Sequence, residues 1–424
     1  MNCVASRLRL LPTQAIEQDQ VLKQERVFRP QSSVESALLG SNYFPFLTEC
    51  CGLFTVCCLL GIHTIFTNQQ SVCNTTPIES GTRRIMEEPM LRRVSLLLLC
   101  ALVTVGSAVA QTNLNGAGAT FPYPIYSKWF NAYHNAHSDV QINYQSIGSG
   151  GGIRQLTAGT VDFGASDGPM SDAQLAEAKR KIYHLPTVLG AVVPAYNVPG
   201  VKGELKFSGK VLADIFLGKI TTWNDAQIAK LNPGVNLPGV GIVICHRADG
   251  SGTTYIWTDY LSKVSPDWAG GPSKGTAIKW PVGLGAKGNE GVAGLIRQNE
   301  GAIGYVELIY ALQNNITFGV VQNAAGNFVK ASLESTTAAA SSAKMPADFR
   351  VSITNAPGKD AYPIASFTWL LVPAEWKDAG KGKIMVDFLN WMLDQGQSQV
   401  SSLNYAPLPK EVVEKERAVI KTIK

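Results

Sequence analysis

Ile242-Val243-Ile244-Cys245-His246-Arg247-Ala248-Asp249-Gly250-Ser251-Gly252-Thr253 is the stretch whose reading decides the fold. Its first four residues form a short continuous apolar run, as expected for a strand buried on both faces of a parallel sheet. Beyond it, Ile256, Tyr260, Leu261 and Val264 recur at helical spacing. Between the two lies a loop with two glycines, two hydroxyl residues and an arginine. In the order strand, glycine-rich loop, helix start, unpaired peptide N–H groups and the positive end of the helix dipole converge on a negatively charged ligand. Ser251 and Thr253 add hydroxyl donors, Arg247 adds a planar fork of N–H groups, and the glycines let the backbone come close. The same residues also suit an ordinary strand-to-helix turn with a capping Ser or Thr.

The surrounding chain repeats the alternation. Ile125, Tyr126, Trp129, Phe130 and Tyr133 mark a helix, and Val140, Ile142 and Tyr144 alternate as in a strand. Val161–Ala165 reads as a strand that delivers Ser166 and Asp167 at its carboxyl end. Apolar runs at Val188–Val193, Gly301–Val306 and Ala365–Val372, with helical segments at Val211–Leu217 and Met385–Leu393, continue the pattern. Strands interleaved with helices predict an α/β protein with mainly parallel sheets, whose ligands bind beyond the carboxyl ends of strands. Ala331–Ala347, rich in Ser, Ala and Thr, reads as an exposed excursion.

Composition bounds the rest. With 424 residues, 45% hydrophobic and 16% charged, the chain can bury a large core and is long enough for two or three domains. A net charge of +5, spread over scattered lysines, argues against nucleic-acid binding. Of the eight cysteines only Cys245 lies beyond Cys100, so the later part of the chain has no pair for a disulfide, and no cysteine–histidine spacing suits zinc. His134 and His137 sit on an aromatic helix face, where packing is the simpler reading. No metal and no cofactor is expected.

Residues 1–89 do not match the remainder and receive no fold. Residues 90–110, from Met90-Leu91-Arg92-Arg93 through an apolar run to Ala108-Val109-Ala110, read as a secretory signal peptide. The expectation is that Met90 is the true start and that residues 1–89 are an upstream extension. The apolar patch Cys50–Ile62 within residues 1–89 falls short of the roughly 18–20 residues of a membrane span.

Four loops share one chemistry: Gly116–Phe121, Gly148–Gly152, Asp167 and Arg247–Thr253. Three of them supply neutral donors. Asp167, a carboxylate among them, makes sense if the ligand carries a proton to share. That favours monohydrogen phosphate over sulfate, whose oxygens only accept at neutral pH. A helix cap or an ion pair would equally account for Asp167 alone.

These segments, together with Val161–Asp167 and Gly301-Ala302-Ile303-Gly304-Tyr305-Val306-Glu307, closely resemble those of the periplasmic phosphate-binding proteins of bacterial ABC phosphate transporters, in the same order over residues 112–424. The resemblance implies a two-lobed α/β fold of the type II-like periplasmic binding class, with phosphate in the interlobe cleft. It implies one lobe from residues 111–190 and 365–424 and a second from 191–364. It further implies phosphate contacts from Thr120, Phe121, Ser149, Asp167, Arg247, Ser251, Gly252 and Thr253, with Asp249 steadying the arginine. Such a protein is a monomer that captures inorganic phosphate in the periplasm, delivers it to an inner-membrane ABC permease and performs no catalysis. Two other readings stay open on residues alone. A secreted phosphatase would need a nucleophile with a base, and only His246 lies beside the four loops. A dinucleotide-binding enzyme is suggested by Gly283–Gly288, although Trp280-Pro281 interrupts the strand such a motif requires.

Overall fold

The structure, a computed structural model, describes residues 111–424. The expectations for residues 1–89 and for the signal peptide at 90–110 lie outside the described residues.

Nine strands form the main sheet: β1 (Thr112–Gly118), β2 (Val140–Ser146), β3 (Phe163–Ser166), β4 (Ile182–Asn197), β5 (Val243–Arg247), β6 (Leu284–Ala286), β7 (Ala302–Glu307), β8 (Thr317–Phe318) and β9 (Ala365–Pro373). The helices that matter for the site are α1 (Tyr123–Ala136), α2 (Ser149–Ala158), α3 (Gly209–Phe216), α4 (Gly252–Val264), α5 (Gly288–Gln298), α6 (Leu308–Gln313), α7 (Leu333–Ser341), α8 (Ala379–Asp394) and α9 (Lys410–Ile420). Strand order is β2-β1-β3-β9-β4-β7-β5-β6, with β8 also on β4. A separate small sheet joins Lys206–Phe207, Val320–Gln322 and Phe328–Val329.

β4 explains the architecture. Ile182–Ala191 pairs antiparallel with β9, and Val192–Asn197 pairs antiparallel with β7. One strand therefore belongs to both lobes, and β9 runs beside it. Parallel pairing holds on either flank, β2-β1-β3 on one side and β7-β5-β6 on the other. Nearly all of β4 and the whole of β9 are buried, so they read as unbroken apolar runs rather than as alternation. Opposite Thr368 and Trp369 the β4 register slips past Thr187. The slip is a bulge, and it follows Pro186, which has no N–H for the ladder.

Helices cover the faces because their apolar residues fall on one side. On α1, begun at Pro122 and Pro124, the buried residues are Ile125, Tyr126, Trp129, Phe130 and Tyr133, a helical stripe. The Ala331–Ala347 segment departs from expectation. Its centre is α7, opened by a capping box between Ser332 and Ser335, with Thr336, Ala339 and Ala340 buried against β9 and β4. Small side chains let this helix lie close to the sheet, which composition alone reads as polarity.

Candidate functional site

Each strand on the two flanks ends at a polar loop of the same region. Thr120 and Phe121 follow β1, Ser149 follows β2, Asp167 follows β3, and Arg247 closes β5. Hydrogen bonds join them: the Gly252 N–H and the Asp167 N–H both donate to Ser149 Oγ, at 3.0 and 3.3 Å. Arg247 Nη1 lies 3.3 Å from Thr120 Oγ1 and 3.4 Å from Thr253 Oγ1. Residues 120, 149, 167, 247, 251 and 253 are each no more than 3% exposed, and Phe121 is fully buried. All eight residues expected to contact the ligand are thus gathered in one water-excluded region.

The arginine is held before it can act. Asp249 accepts from Nε at 2.7 Å and from Nη2 at 2.5 Å, a fork-to-fork pair with directional strength. Asp249 also accepts from the Gly288 N–H at 3.2 Å. Burial pushes its carboxyl up, but the hydrogen bonds and charge of Arg247 and the Gly288 N–H outweigh burial and leave it below the ordinary value. The Arg247 N–H meets Tyr305 Oη at 3.1 Å, and that hydroxyl lies 2.7 Å from Thr254 Oγ1. With Nε and one Nη2 proton engaged by Asp249, Nη1 is turned toward the hydroxyls.

Donors dominate. Ser251 caps α4, its Oγ accepting from the Thr254 N–H at 3.0 Å. α2 begins at Ser149 with no side-chain cap. Among the described residues, the peptide N–H groups of Thr120, Phe121, Ser149 and Thr253 have no protein acceptor. Buried N–H groups are nearly always paired, so four in one place mark where an acceptor-rich ligand belongs. Asp167 is the exception in sign: its Oδ1 accepts from Thr368 Oγ1 at 2.9 Å. Burial drives its pKa up to about 7, against the lowering pull of the Thr368 hydroxyl and the Arg247 charge.

Several participants were not visible in the sequence. Asn289, at the start of α5, donates from Nδ2 to Thr120 Oγ1 at 2.8 Å and to Thr253 Oγ1 at 3.1 Å. It follows the discounted Gly283–Gly288 segment, which forms β6 and the turn into α5. That is the same strand, glycine, helix order as the Arg247 loop, and it could have flagged the residue. Tyr310 and Tyr405 donate at 2.6 Å to the carbonyls of Thr120 and Phe121, fixing the β1 loop from outside. Only the fold could reveal those two.

Cys245 is buried and free, its thiol pushed up to about 12 by burial, and it is a core residue as its apolar run suggested. His246 stacks on Trp280 with ring centres 4.7 Å apart. His134 Nδ1 lies 2.7 Å from the Val140 carbonyl and His137 packs on Tyr133.

Residues 103–395 match the model of the PBP superfamily domain. The phosphate-binding protein PstS of Xylella fastidiosa strain Temecula1 is 48% identical over 311 residues, 73% of this chain and 85% of that protein. PstS of Pasteurella multocida is 45% identical over 336 residues, 78% of this chain and 96% of that protein. Among solved structures, a high-affinity periplasmic phosphate-binding protein with phosphate bound superposes with a TM-score of 0.61 at 21% identity, covering 72% of this chain and 93% of that one. A phosphate-binding protein of Stenotrophomonas maltophilia gives 0.55 at 19% identity over the same shares.

Proposed function

The chain belongs to the PBP superfamily and is kin to the PstS phosphate-binding proteins, and from that membership we propose that it captures inorganic phosphate as a solute-binding protein of an ABC phosphate transporter. The observation that carries this reading is the gathering of hydroxyl, peptide and guanidinium donors from both flanks of the sheet around one buried carboxylate. Thr120, Phe121, Ser149, Asp167, Arg247, Ser251, Gly252 and Thr253 contact the anion, and Asp249 holds Arg247. Residues 111–190 with 365–424 form one lobe and residues 191–364 the other, hinged where β4 and β9 pass between them.

Taking a dianion out of water costs several kcal/mol or more. Charged hydrogen bonds return roughly 1.5–3 kcal/mol each, so useful affinity needs donors on most oxygens. Asp167 then accepts a hydrogen bond from the one proton that monohydrogen phosphate still carries. The closed form is what an inner-membrane permease recognises, and export through residues 90–110 delivers the protein to the periplasm as a monomer.

No hydrolytic turnover is expected. Ser251 Oγ is engaged by the Thr254 N–H, and the His246 ring rests on Trp280, away from a general-base role. Calorimetry of the purified protein with phosphate, alongside a chromogenic phosphate ester, tests the reading. Tight phosphate binding without turnover is the expected result. Indifference to phosphate, or steady ester hydrolysis, would overturn it.

A further inference from the structure

Asn289 is fully buried at the start of α5, and both protons and the oxygen of its side-chain amide are engaged. Its Oδ1 accepts from the Glu307 N–H at 2.9 Å. A peptide N–H can only donate, so this contact fixes which end of the amide is oxygen. Nδ2 must therefore face the two threonines, one proton toward Thr120 Oγ1 at 2.8 Å and the other toward Thr253 Oγ1 at 3.1 Å. Thr120 Oγ1 also receives the Asn289 N–H at 3.3 Å and Arg247 Nη1 at 3.3 Å, and Thr253 Oγ1 receives Arg247 Nη1 at 3.4 Å.

A hydroxyl oxygen has two acceptor positions and one proton. On Thr253 two donors that cannot reverse fill the acceptor side, and on Thr120 three such donors share it, with Asn289 Nδ2 at 2.8 Å closer than the two at 3.3 Å. Among the described residues neither hydroxyl has a protein acceptor for its own proton. That proton is left to an acceptor from outside the protein.

We infer that Asn289 is a positioning residue of the anion site: by donating to Thr120 on one flank and Thr253 on the other, it forces both hydroxyls to present protons to the ligand. The inference rests on the phosphate-binding reading above. It makes the site intolerant of a ligand atom that offers a proton at these two hydroxyls. Neither hydroxyl can then accept the ligand's proton, the role that the reading above gives to Asp167.

The test is calorimetry with inorganic phosphate on the wild type, Asn289→Ala, Thr120→Val/Thr253→Val and the triple variant, with thermal midpoints in the absence of phosphate. In the wild-type background Asn289→Ala should weaken binding about tenfold or more, the worth of a charge-assisted hydrogen bond or two. In the double-valine background, where there is no hydroxyl left to orient, the same substitution should change affinity by less than about twofold. An equal loss in both backgrounds means a purely structural role and overturns the inference, as does a loss under about twofold in the wild-type background. Asn289→Asp, nearly the same shape, keeps an acceptor for the Glu307 N–H but turns acceptors toward both hydroxyls. It should bind phosphate at least as weakly as Asn289→Ala, and affinity within about threefold of wild type would overturn the inference even if Asn289→Ala failed to fold. A wild-type protein that ignores phosphate would instead remove the functional reading itself.

Discussion

Asp167 faces a set of groups that all offer protons, so its own protonation governs which anions fit. With its pKa raised by burial to about 7, it is half protonated near neutrality before a ligand arrives. Monohydrogen phosphate brings the shared proton with it. Sulfate brings none, so sulfate binds only where Asp167 is protonated. Sulfate affinity of the wild type should therefore be level below pH 7 and fall about tenfold per pH unit above it, following the protonated fraction. In Asp167→Asn the amide donates at every pH, so the sulfate curve should be flat and the gap to phosphate narrower. Titrations at pH 6 and 8.5 distinguish the cases, and a pH-independent wild type would count against this role. Arg247→Ala removes a guanidinium and leaves Asp249 without its ion-pair partner. It should weaken phosphate by about a hundredfold or more, on the scale of breaking a largely buried ion pair.

At the scale of elements, the start of α4 works because Gly252 has no side chain. A Cβ there would lie 2.6 Å from Asp167 N, Cβ and Oδ2, closer than side-chain carbons come to other atoms. Gly252→Ala should therefore push α4 off the β3 end, break the 3.0 Å bond to Ser149 Oγ and cost phosphate affinity more than tenfold, while the ligand-free melting temperature moves by only a few degrees. An alanine variant with wild-type affinity would show that the two loops need not touch. This order of strand, glycine and helix start was legible in the sequence because it is local: Ile242–Thr253 states its own turn, and Gly116–Phe121 and Gly148–Gly152 repeat it. The bulge at Thr187 was not legible. It is defined by a register between β4 and β9 that are far apart in the chain, yet it sits where Thr187 Oγ1 reaches the Thr368 carbonyl at 3.2 Å and Thr368 reaches Asp167. α7 was misread for the opposite reason, since small residues that look polar in a window pack tightly once a sheet lies beneath them.

The whole molecule carries two further consequences. Glu416 on α9 is fully buried, neither of its carboxylate oxygens has a partner among the described residues, and burial holds its pKa well above the ordinary value despite the nearby Arg417 charge. The folded state therefore keeps a proton that the unfolded chain loses near pH 4.3. Stability falls as pH rises from there toward the folded pKa, by up to about 1.4 kcal/mol per unit for this group. Glu416→Gln should make the ligand-free melting temperature decline less steeply between pH 5 and 8, and an unchanged slope would place the linkage elsewhere. Closure is the second consequence. Gly150 N–H donates to the Gly250 carbonyl at 2.9 Å, and a Cβ on Gly250 would stand 3.0 Å from the Gly150 Cα, so the two flanks of the site meet backbone to backbone. On the two-lobed reading proposed above, a bulky side chain there opposes the form in which these glycines meet. Gly250→Val should leave the ligand-free melting temperature near wild type, weaken phosphate binding, and raise the dissociation rate more than it lowers the association rate, because the encounter precedes closure. Stopped-flow kinetics with phosphate would read this directly. Wild-type dissociation from Gly250→Val would mean that retention of the anion does not require the two glycines to touch, and that the donors of one flank suffice to hold it.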